Sequence, residues 1–183
     1  MASDEKLVAA ALDGIDGAFA ELVTRYQDRL LRFLLARSSS RADAEDAVQD
    51  TFINAYRYLA SFDSRWQFST WIYRIAIRNA AKQRSLHRYE PEVEVADDND
   101  PLDACIAHAE HENVWLAARR LLTDEAYAAL WLRYVEDLSV KEIASALGRS
   151  SAWTKVTLMR CRRKLGAELN AAESPALGSE SYG

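Results

Sequence analysis

Residues 139–165 read SVKEIASALGRSSAWTKVTLMRCRRKL, in which a glycine separates two helical patterns. Ser139 and Glu142 have the spacing of a capping box, which predicts a helix that begins after the serine. Gly148 ends this helix, because glycine readily adopts the left-handed conformation of a tight turn. The buried side of the first helix is predicted to carry Ile143, Ala144 and Leu147.

A second helix is predicted directly after this turn, with Ser150 or Ser151 as its N-cap. Its residues separate into an inward stripe and an outward face at helical spacing. The inward stripe consists of Thr154, Leu158, Cys161 and Leu165, and the outward face carries Lys155, Val156, Met159 and Arg160. Two short helices joined by a glycine turn are typical of a helix-turn-helix.

The charge of this segment differs from that of the whole chain. Six basic residues and no acidic residue lie between Arg149 and Lys164, whereas the 183-residue chain has a formal net charge of -5. A basic helix that is merely solvated is the alternative interpretation. Capping, turn glycine, inward stripe and charge coincide here, and together they favour DNA binding by the second helix.

Three further helical patterns lie upstream, between residues 19 and 82. Phe19 to Leu34 form one apolar stripe, and Ala44 to Leu59, behind the N-cap Ser40, form a second. After a break at Ser61 to Arg65, a third stripe runs from Phe68 to Asn79. The opposite side of this third helix is basic, with Arg74, Arg78 and Lys82 four residues apart.

Residues 90–103 contain seven acidic residues, no basic residue, Pro91 and Pro101, a composition that predicts a flexible linker. With only 6 Gly and 3 Pro in the chain, the sequence predicts an all-α protein of two small helical domains joined by this acidic linker. The predicted boundaries are 1–89 for the N-terminal domain, 90–103 for the linker, 104–169 for the helix-turn-helix domain and 170–183 for a disordered tail.

Several classes of function are not supported. No long apolar segment indicates secretion or membrane insertion, so we expect a cytoplasmic protein. No nucleophile with a plausible base and no glycine-rich phosphate loop is evident, so we expect no catalytic residues, no cofactor and no enzymatic activity. Cys105, His108 and His111 are spaced three apart, but His111 lies well round the helix and a fourth ligand is lacking. Solvated or packed side chains are therefore favoured over a metal site.

Two upstream segments resemble the N-terminal domain of extracytoplasmic-function sigma factors, which belong to the sigma-70 family. These segments are DAEDAVQDTF at 43–52 and FSTWIYRIA at 68–76, and LSVKEIA at 138–144 resembles the C-terminal domain of the same family. The resemblance extends from about Phe19 to Leu165. It implies a stress-responsive subunit that binds core RNA polymerase, recognises minus-ten and minus-thirty-five promoter elements and aids DNA melting. It also implies control by an anti-sigma factor.

The resemblance further implies two sites in the N-terminal domain. The surface for core polymerase maps to Asp43, Glu45, Asp46, Gln49, Asp50, Asn54 and Arg57, which from the residues alone could equally be a solvated acidic helix. The minus-ten surface, which captures a flipped base, maps to Ser61, Phe62, Asp63, Trp66, Phe68, Trp71, Arg74, Arg78, Asn79 and Lys82. Within this set, Phe68 and Trp71 fit the inward stripe and are better assigned to the core.

The minus-thirty-five surface implied by the resemblance maps to Ser151, Trp153, Lys155, Val156, Thr157, Met159 and Arg160. The sequence departs from the family pattern at Trp153, Thr154, Val156 and Thr157, so the family's base preference does not carry over. Val156 offers a contact to a thymine methyl group but no hydrogen bond. Trp153 is predicted either to pack between the two helices or to meet the DNA backbone.

A stand-alone helix-turn-helix regulator is the main rival interpretation. The C-terminal segment alone would fit it, but such regulators normally dimerise to read paired half-sites, and no heptad seam is present for that. The N-terminal segments also have no place in such a protein. The sequence therefore favours the sigma factor.

Overall fold

The computed structural model describes residues 2–87 and 112–173, and every regular element within these two ranges is helical. This confirms the prediction of an all-α protein. The N-terminal unit contains α1 (Asp4–Leu12), α2 (Ala18–Leu35), α3 (Arg41–Arg57), a 3-10 turn (Leu59–Ser61) and α4 (Phe68–His87). The C-terminal unit contains α5 (Glu112–Leu121), α6 (Asp124–Tyr134), α7 (Val140–Leu147) and α8 (Ser151–Glu173).

Helix α1 was not predicted from the sequence, although a signal for it was present. Ser3 caps it by accepting a hydrogen bond from the Lys6 N–H, and Asp4 and Glu5 stand in its first turn, where the helix dipole favours acids. Asp4 also accepts hydrogen bonds from Arg25 and from the Tyr26 hydroxyl, at 2.7 and 2.5 Å. These bonds fix α1 against α2.

The core of the N-terminal unit forms where α2, α3 and α4 meet. Helix α3 contributes small buried residues, among them Ala44, Ala47 and Ala55, which let its neighbours approach closely. Larger side chains fill the remaining space from α2 and α4, and these include Leu22, Leu30, Phe33, Phe68, Ile72 and Tyr73. The stripes predicted for these three helices therefore face inward as expected, with Phe68 in the core.

The helix-turn-helix forms as the capping residues predict. The Glu142 N–H donates to Ser139 Oγ at 3.3 Å, and the Ser139 N–H donates to the Glu142 carboxylate at 2.9 Å. Gly148 has a φ of 64°, and Ser150 accepts a hydrogen bond from the Trp153 N–H at 3.1 Å. Ser150 is therefore the cap of α8, and the capping box and glycine turn are confirmed.

Replacing Ser139 with alanine is expected to lower the free energy of unfolding by about 1 kcal/mol, because the Glu142 N–H loses its acceptor at the start of α7. Chemical denaturation of the full chain measures this loss. Ser64→Ala is the matched control, since Ser64 is exposed and lies outside the helices. Equal stability of the two variants would contradict the proposed contribution of the cap.

The predicted boundaries are only partly within the described residues. Helix α8 continues to Glu173, beyond residue 169, at which the predicted C-terminal domain ends. The acidic linker at 90–103 and the last ten residues of the predicted tail lie outside the described residues. The domain limits therefore stay a prediction.

The two units pack against each other, chiefly where α4 contacts α7. Phe33 of α2 and Trp131 of α6 also meet, with ring centroids 6.0 Å apart. The first helix of the helix-turn-helix consequently lies beside the N-terminal unit.

Candidate nucleic-acid interface

The outer face of α3 carries the residues predicted to contact core polymerase. Asp46, Gln49, Asp50 and Arg57 are exposed, and so is Glu45, which pairs with Arg41 at 2.8 Å. Asp43 is half-buried, and its N–H donates to the Ser40 hydroxyl at the start of the helix. Five of the seven predicted residues are thus available to a large partner.

Asn54 and Asn79 were predicted to meet different partners, but the structure bonds them to each other. The Asn54 amide donates to Asn79 Oδ1 at 3.2 Å, and the Asn79 amide donates to Thr51 Oγ1 at 3.4 Å. Both side chains are half-buried between α3 and α4. These bonds give the two asparagines a structural role in joining the helices, which helical spacing alone could not reveal.

An open cavity of about 460 Å³ lies at the N-terminal part of α4. Six of the ten residues predicted for the minus-ten element line it, namely Ser61, Asp63, Trp66, Trp71, Arg74 and Arg78. Tyr58, Thr70 and Ile75 complete the lining and were not predicted. The cavity therefore combines aromatic faces, two guanidinium groups and hydroxyl groups in one place.

Thr70 contributes an unusual polar group to this cavity. Its side chain is 1% exposed, and its hydroxyl has no hydrogen-bond partner within the described part of the chain. Buried hydroxyl groups are normally hydrogen-bonded, so Thr70 is an exception, and its hydroxyl oxygen is almost completely shielded from solvent. The inward stripe of α4 gave no signal for this residue.

The aromatic wall of the cavity is fixed by packing. Phe62 contacts both Phe68 and Trp71, with ring centroids 5.9 and 5.6 Å apart. Phe68 is 1% exposed and belongs to the core, as predicted, whereas Trp71 is half-buried and lines the cavity. The Phe62 ring thus supports the Trp71 ring, which lines the cavity.

The rim of the cavity holds an ion pair between Asp63 and Arg65. Arg65 donates to Asp63 through its backbone and its guanidinium, with side-chain distances of 2.6 to 3.0 Å. These hydrogen bonds lower the pKa of Asp63 below its ordinary value, so the carboxylate stays charged. Arg65 is exposed, and its positive charge faces solvent beside the opening.

Two cavity residues also contact the C-terminal unit. Lys141 Nζ lies 5.6 Å from the centroid of the Trp66 ring, and the Arg74 guanidinium donates to the Ser145 carbonyl at 2.7 and 3.1 Å. Burial lowers the pKa of Arg74, and the neighbouring Arg78 adds to this shift. Arg78 and Lys82, by contrast, are exposed.

The outward face of α8 forms the second candidate surface. Lys155, Val156, Met159 and Arg160 are exposed as predicted, and Thr154, Leu158, Cys161 and Leu165 are buried. Val156 and Met159 are 41% and 58% exposed, so two apolar side chains stand among the cations. This mixture suits the edges of base pairs, which offer both hydrogen-bonding groups and thymine methyls.

The residues around this face are placed by local contacts. Trp153 is half-buried beneath the Arg149 guanidinium, whose carbon lies 5.5 Å from the ring centroid, and Arg149 also pairs with Glu125 at 2.5 Å. Ser151 is exposed and Thr157 is half-buried. Trp153 therefore contributes to packing around the start of α8.

Other chemistry is not apparent in the described part of the chain. No group of His, Cys, Asp and Glu there could hold a metal ion, and the Cys105, His108 and His111 set lies outside it. Cys161 is buried, and burial raises the pKa of its thiol, which disfavours the reactive thiolate. Among the described residues, no helix is both long and apolar enough to cross a membrane.

Comparisons with known proteins identify the family of this chain. Residues 22–93 match the family model "Sigma-70 region 2", and residues 116–165 match "Sigma-70, region 4". The ECF RNA polymerase sigma-E factor of Haemophilus influenzae is 30% identical, over 89% of this chain and 93% of the relative. The ECF sigma factor SigW of Bacillus subtilis is 29% identical, over 90% of this chain and 96% of the relative.

A solved structure supports the same assignment. CnrH, in complex with the cytosolic domain of CnrY, is 27% identical to this chain and superposes with a TM-score of 0.67. The match covers 92% of this chain and 97% of CnrH. The chain therefore belongs to the ECF family of RNA polymerase sigma factors, which are transcription initiation factors and not enzymes.

Proposed function

We propose that this sigma factor binds core RNA polymerase through the outer face of α3, captures a minus-ten base in the α4 cavity and reads a minus-thirty-five element with α8. The observation that carries the proposal is the cavity, because six of its lining residues are ones that the family resemblance implies for that role. The three surfaces lie on different helices, as a factor with three simultaneous contacts requires.

The cavity has the chemistry needed to hold an unstacked base. Its volume falls within the usual range for small-molecule sites, about 300 to 1,000 Å³. Trp66 and Trp71 offer aromatic faces, and stacking on such a face contributes about 1 to 3 kcal/mol per base. Arg78 supplies a charge for the DNA backbone.

Helix α8 has the form of a major-groove reader. Lys155 and Arg160 can contact phosphates or guanine edges, and the exposed Val156 can contact a thymine methyl group. The chain carries a net charge of -5, so these cations must act locally. The holoenzyme is therefore expected to bind promoter DNA much more tightly than the free chain does.

Core polymerase is proposed to bind the acidic outer face of α3. Asp46, Asp50 and their exposed neighbours present a negative surface that favours a basic partner. A cytoplasmic location is part of this proposal, because the proposed partner is RNA polymerase. We also propose control by an anti-sigma factor and a response to stress, both from the family resemblance. The structure of CnrH was solved in complex with the cytosolic domain of CnrY.

Reconstitution tests this function directly. The full chain is expected to co-elute with core RNA polymerase and to confer transcription from specific promoters, which neither component gives alone. Mapping the start sites would then show the two promoter elements. Strong sequence-specific binding to duplex DNA by the free chain, with no effect on core polymerase, would instead favour a stand-alone regulator.

A further inference from the structure

Helix α1 is connected to the aromatic wall of the α4 cavity through the side chain of Tyr26. Tyr26, on α2, is 4% exposed, and its hydroxyl donates to Asp4 Oδ2, on α1, at 2.5 Å. Its ring packs edge-on against Phe68, with the two ring centroids 5.3 Å apart. One side chain therefore contacts both α1 and the first residue of α4.

Phe68 belongs to a cluster of three rings that forms the wall of the cavity. Its ring centroid lies 5.9 Å from that of Phe62 and 5.7 Å from that of Trp71, and the Phe62 and Trp71 centroids are 5.6 Å apart. Trp71 is the ring of this cluster that lines the cavity. Because protein interiors are close-packed, a displacement of Phe68 is transmitted to Trp71.

The aspartate that holds Tyr26 is itself held in place. Arg25, on α2, donates to Asp4 Oδ1 at 2.7 Å and to the Ala2 carbonyl at 2.9 Å. Ser3 caps α1, so Asp4 stands at the start of the helix. Each carboxylate oxygen of Asp4 thus accepts a hydrogen bond from α2, and the start of α1 is fixed.

The proton of the bond between Asp4 and Tyr26 stays on the tyrosine. Burial raises the pKa of Tyr26 above its ordinary value, and the hydrogen bond to Asp4 raises this pKa further. Tyr26 is therefore the donor at neutral pH. Hydrogen bonds from a hydroxyl to a carboxylate are typically short, about 2.5 to 2.7 Å, and about twice as strong as those between neutral groups.

Helix α1 also supports the backbone that leads into the cavity. It packs against the 3-10 turn Leu59–Ser61. Val8 of α1 and Leu59 of the turn are both 3% exposed and belong to one buried cluster. Tyr58 and Ser61, at the two ends of the turn, line the cavity. Contacts through the rings and contacts through the turn thus lead from α1 to the same cavity.

We propose that α1 is a positioning element for base capture, in which the bond between Asp4 and Tyr26 holds Phe68, and thereby Trp71, in the orientation that stacks on a minus-ten base. This inference rests on the proposed base capture and gives α1 a role that the proposed function does not assign. Neither Asp4 nor Tyr26 lines the cavity, so both act through Phe68. A binding group must be held within about 0.5 Å of its productive position by such supporting contacts.

Fluorine NMR of the free full-length chain, labelled with 5-fluorotryptophan, measures the position of the wall. The chain has 5 Trp, and the Trp71 resonance is assigned with Trp71→Phe. Asp4→Ala and Tyr26→Phe are each expected to shift or broaden this resonance, because Phe68 loses its support. Trp115, in the C-terminal unit, is the internal reference, and its resonance should not change.

Base capture is measured in the reconstituted holoenzyme, with 2-aminopurine placed in turn at each position of a mapped minus-ten element. The fluorescence of this base rises when the base leaves the stack. Asp4→Ala and Tyr26→Phe are each expected to lower the equilibrium constant for capture about threefold to tenfold, the factor that one hydrogen bond represents. Affinity for core polymerase should stay at the wild-type value, because neither residue lies on α3.

A double-mutant cycle tests whether the two residues act as one unit. Asp4→Ala/Tyr26→Phe is expected to lose no more base capture than Asp4→Ala alone, because both substitutions break the same hydrogen bond. Asp4→Asn keeps a side-chain oxygen that can accept from Tyr26, and it is expected to restore most of the capture. Additive losses from the two single substitutions would overturn the inference.

A matched pair of cap variants controls for a general loss of stability. Ser3 caps α1 by accepting from the Lys6 N–H at 3.4 Å, and Thr123 caps α6 by accepting from the Ala126 N–H at 3.4 Å. Ser3→Ala and Thr123→Ala therefore remove equivalent caps from the two units. Only Ser3→Ala is expected to disturb the Trp71 resonance and to lower base capture.

A wild-type Trp71 resonance together with wild-type base capture in Asp4→Ala and Tyr26→Phe would overturn the inference. An equal loss of capture in Thr123→Ala would also overturn it, because the effect would then follow overall stability. Absence of base capture by the wild-type holoenzyme would instead contradict the proposed function. The fluorine resonance distinguishes the two failures, since it reports the support of the wall without polymerase or DNA.

Discussion

Reversing the charges of Asp46 and Asp50 together, as Asp46→Lys/Asp50→Lys, is expected to weaken binding to core RNA polymerase by at least about a hundredfold. Both carboxylates are exposed on the outer face of α3 and one helical turn apart. Placing two positive charges against a surface that accepts acids costs several kcal/mol, and each 1.4 kcal/mol changes the affinity tenfold. Fluorescence anisotropy of the labelled chain, titrated with core enzyme, measures the change.

The matched control is Glu5→Lys/Asp28→Lys, which changes the net charge by the same amount. Glu5 is exposed on α1 and Asp28 is exposed on α2, so both lie outside the proposed surface. The control is expected to bind core polymerase like wild type at the same ionic strength. If both double variants lose the same affinity, the effect comes from total charge, and the specific role of the α3 face is wrong.

Local structure followed closely from the sequence. The Ser139 capping box, the Gly148 turn and the inward stripe of α8 each depend on residues within about one turn of each other, so the pattern contains all the information that forms them. The Ser3 cap and the acids after it were equally local. Helix α1 was therefore predictable, although it was not predicted.

Contacts between distant parts of the chain could not be predicted in this way. Arg29 and Glu136 are 107 residues apart, and Asn54 and Asn79 are 25 apart on separate helices, so no periodicity relates either pair. Both asparagines lie at the border between the inward and outward faces of their helices. At that border, spacing alone does not distinguish a packed side chain from a solvated one. The packing of α3 against α4 determines that both asparagine side chains are packed.

The candidate cavity could be predicted in part from the sequence. The resemblance implied six of its lining residues, because family motifs record chemistry as well as fold. Thr70 carried no such signal, since threonine in an amphipathic helix usually bonds to its own backbone or faces solvent. Helical spacing alone could not show that its hydroxyl is buried without a hydrogen-bond partner among the described residues.

Replacing Lys155 or Arg160 with alanine is expected to reduce promoter-specific transcription by reconstituted holoenzyme. Where a base contact is lost, the free energy of promoter binding should weaken by about 1 to 3 kcal/mol. Both side chains are exposed on the outward face of α8, so alanine is expected to leave the fold intact. Initiation rates at limiting holoenzyme concentration measure the loss. Lys6→Ala is the control, because it removes one exposed positive charge from α1.

The salt dependence of promoter binding distinguishes two roles for these cations. A residue that contacts only phosphate is expected to weaken binding about equally on all sequences and to reduce the slope of log affinity against log salt by about 1. A residue that contacts a base should instead lose discrimination at one position of the minus-thirty-five element. Unchanged transcription and unchanged salt slope in both α8 variants would contradict the groove assignment. Minus-thirty-five recognition would then have to rest on Val156, Met159 and the shape of the DNA.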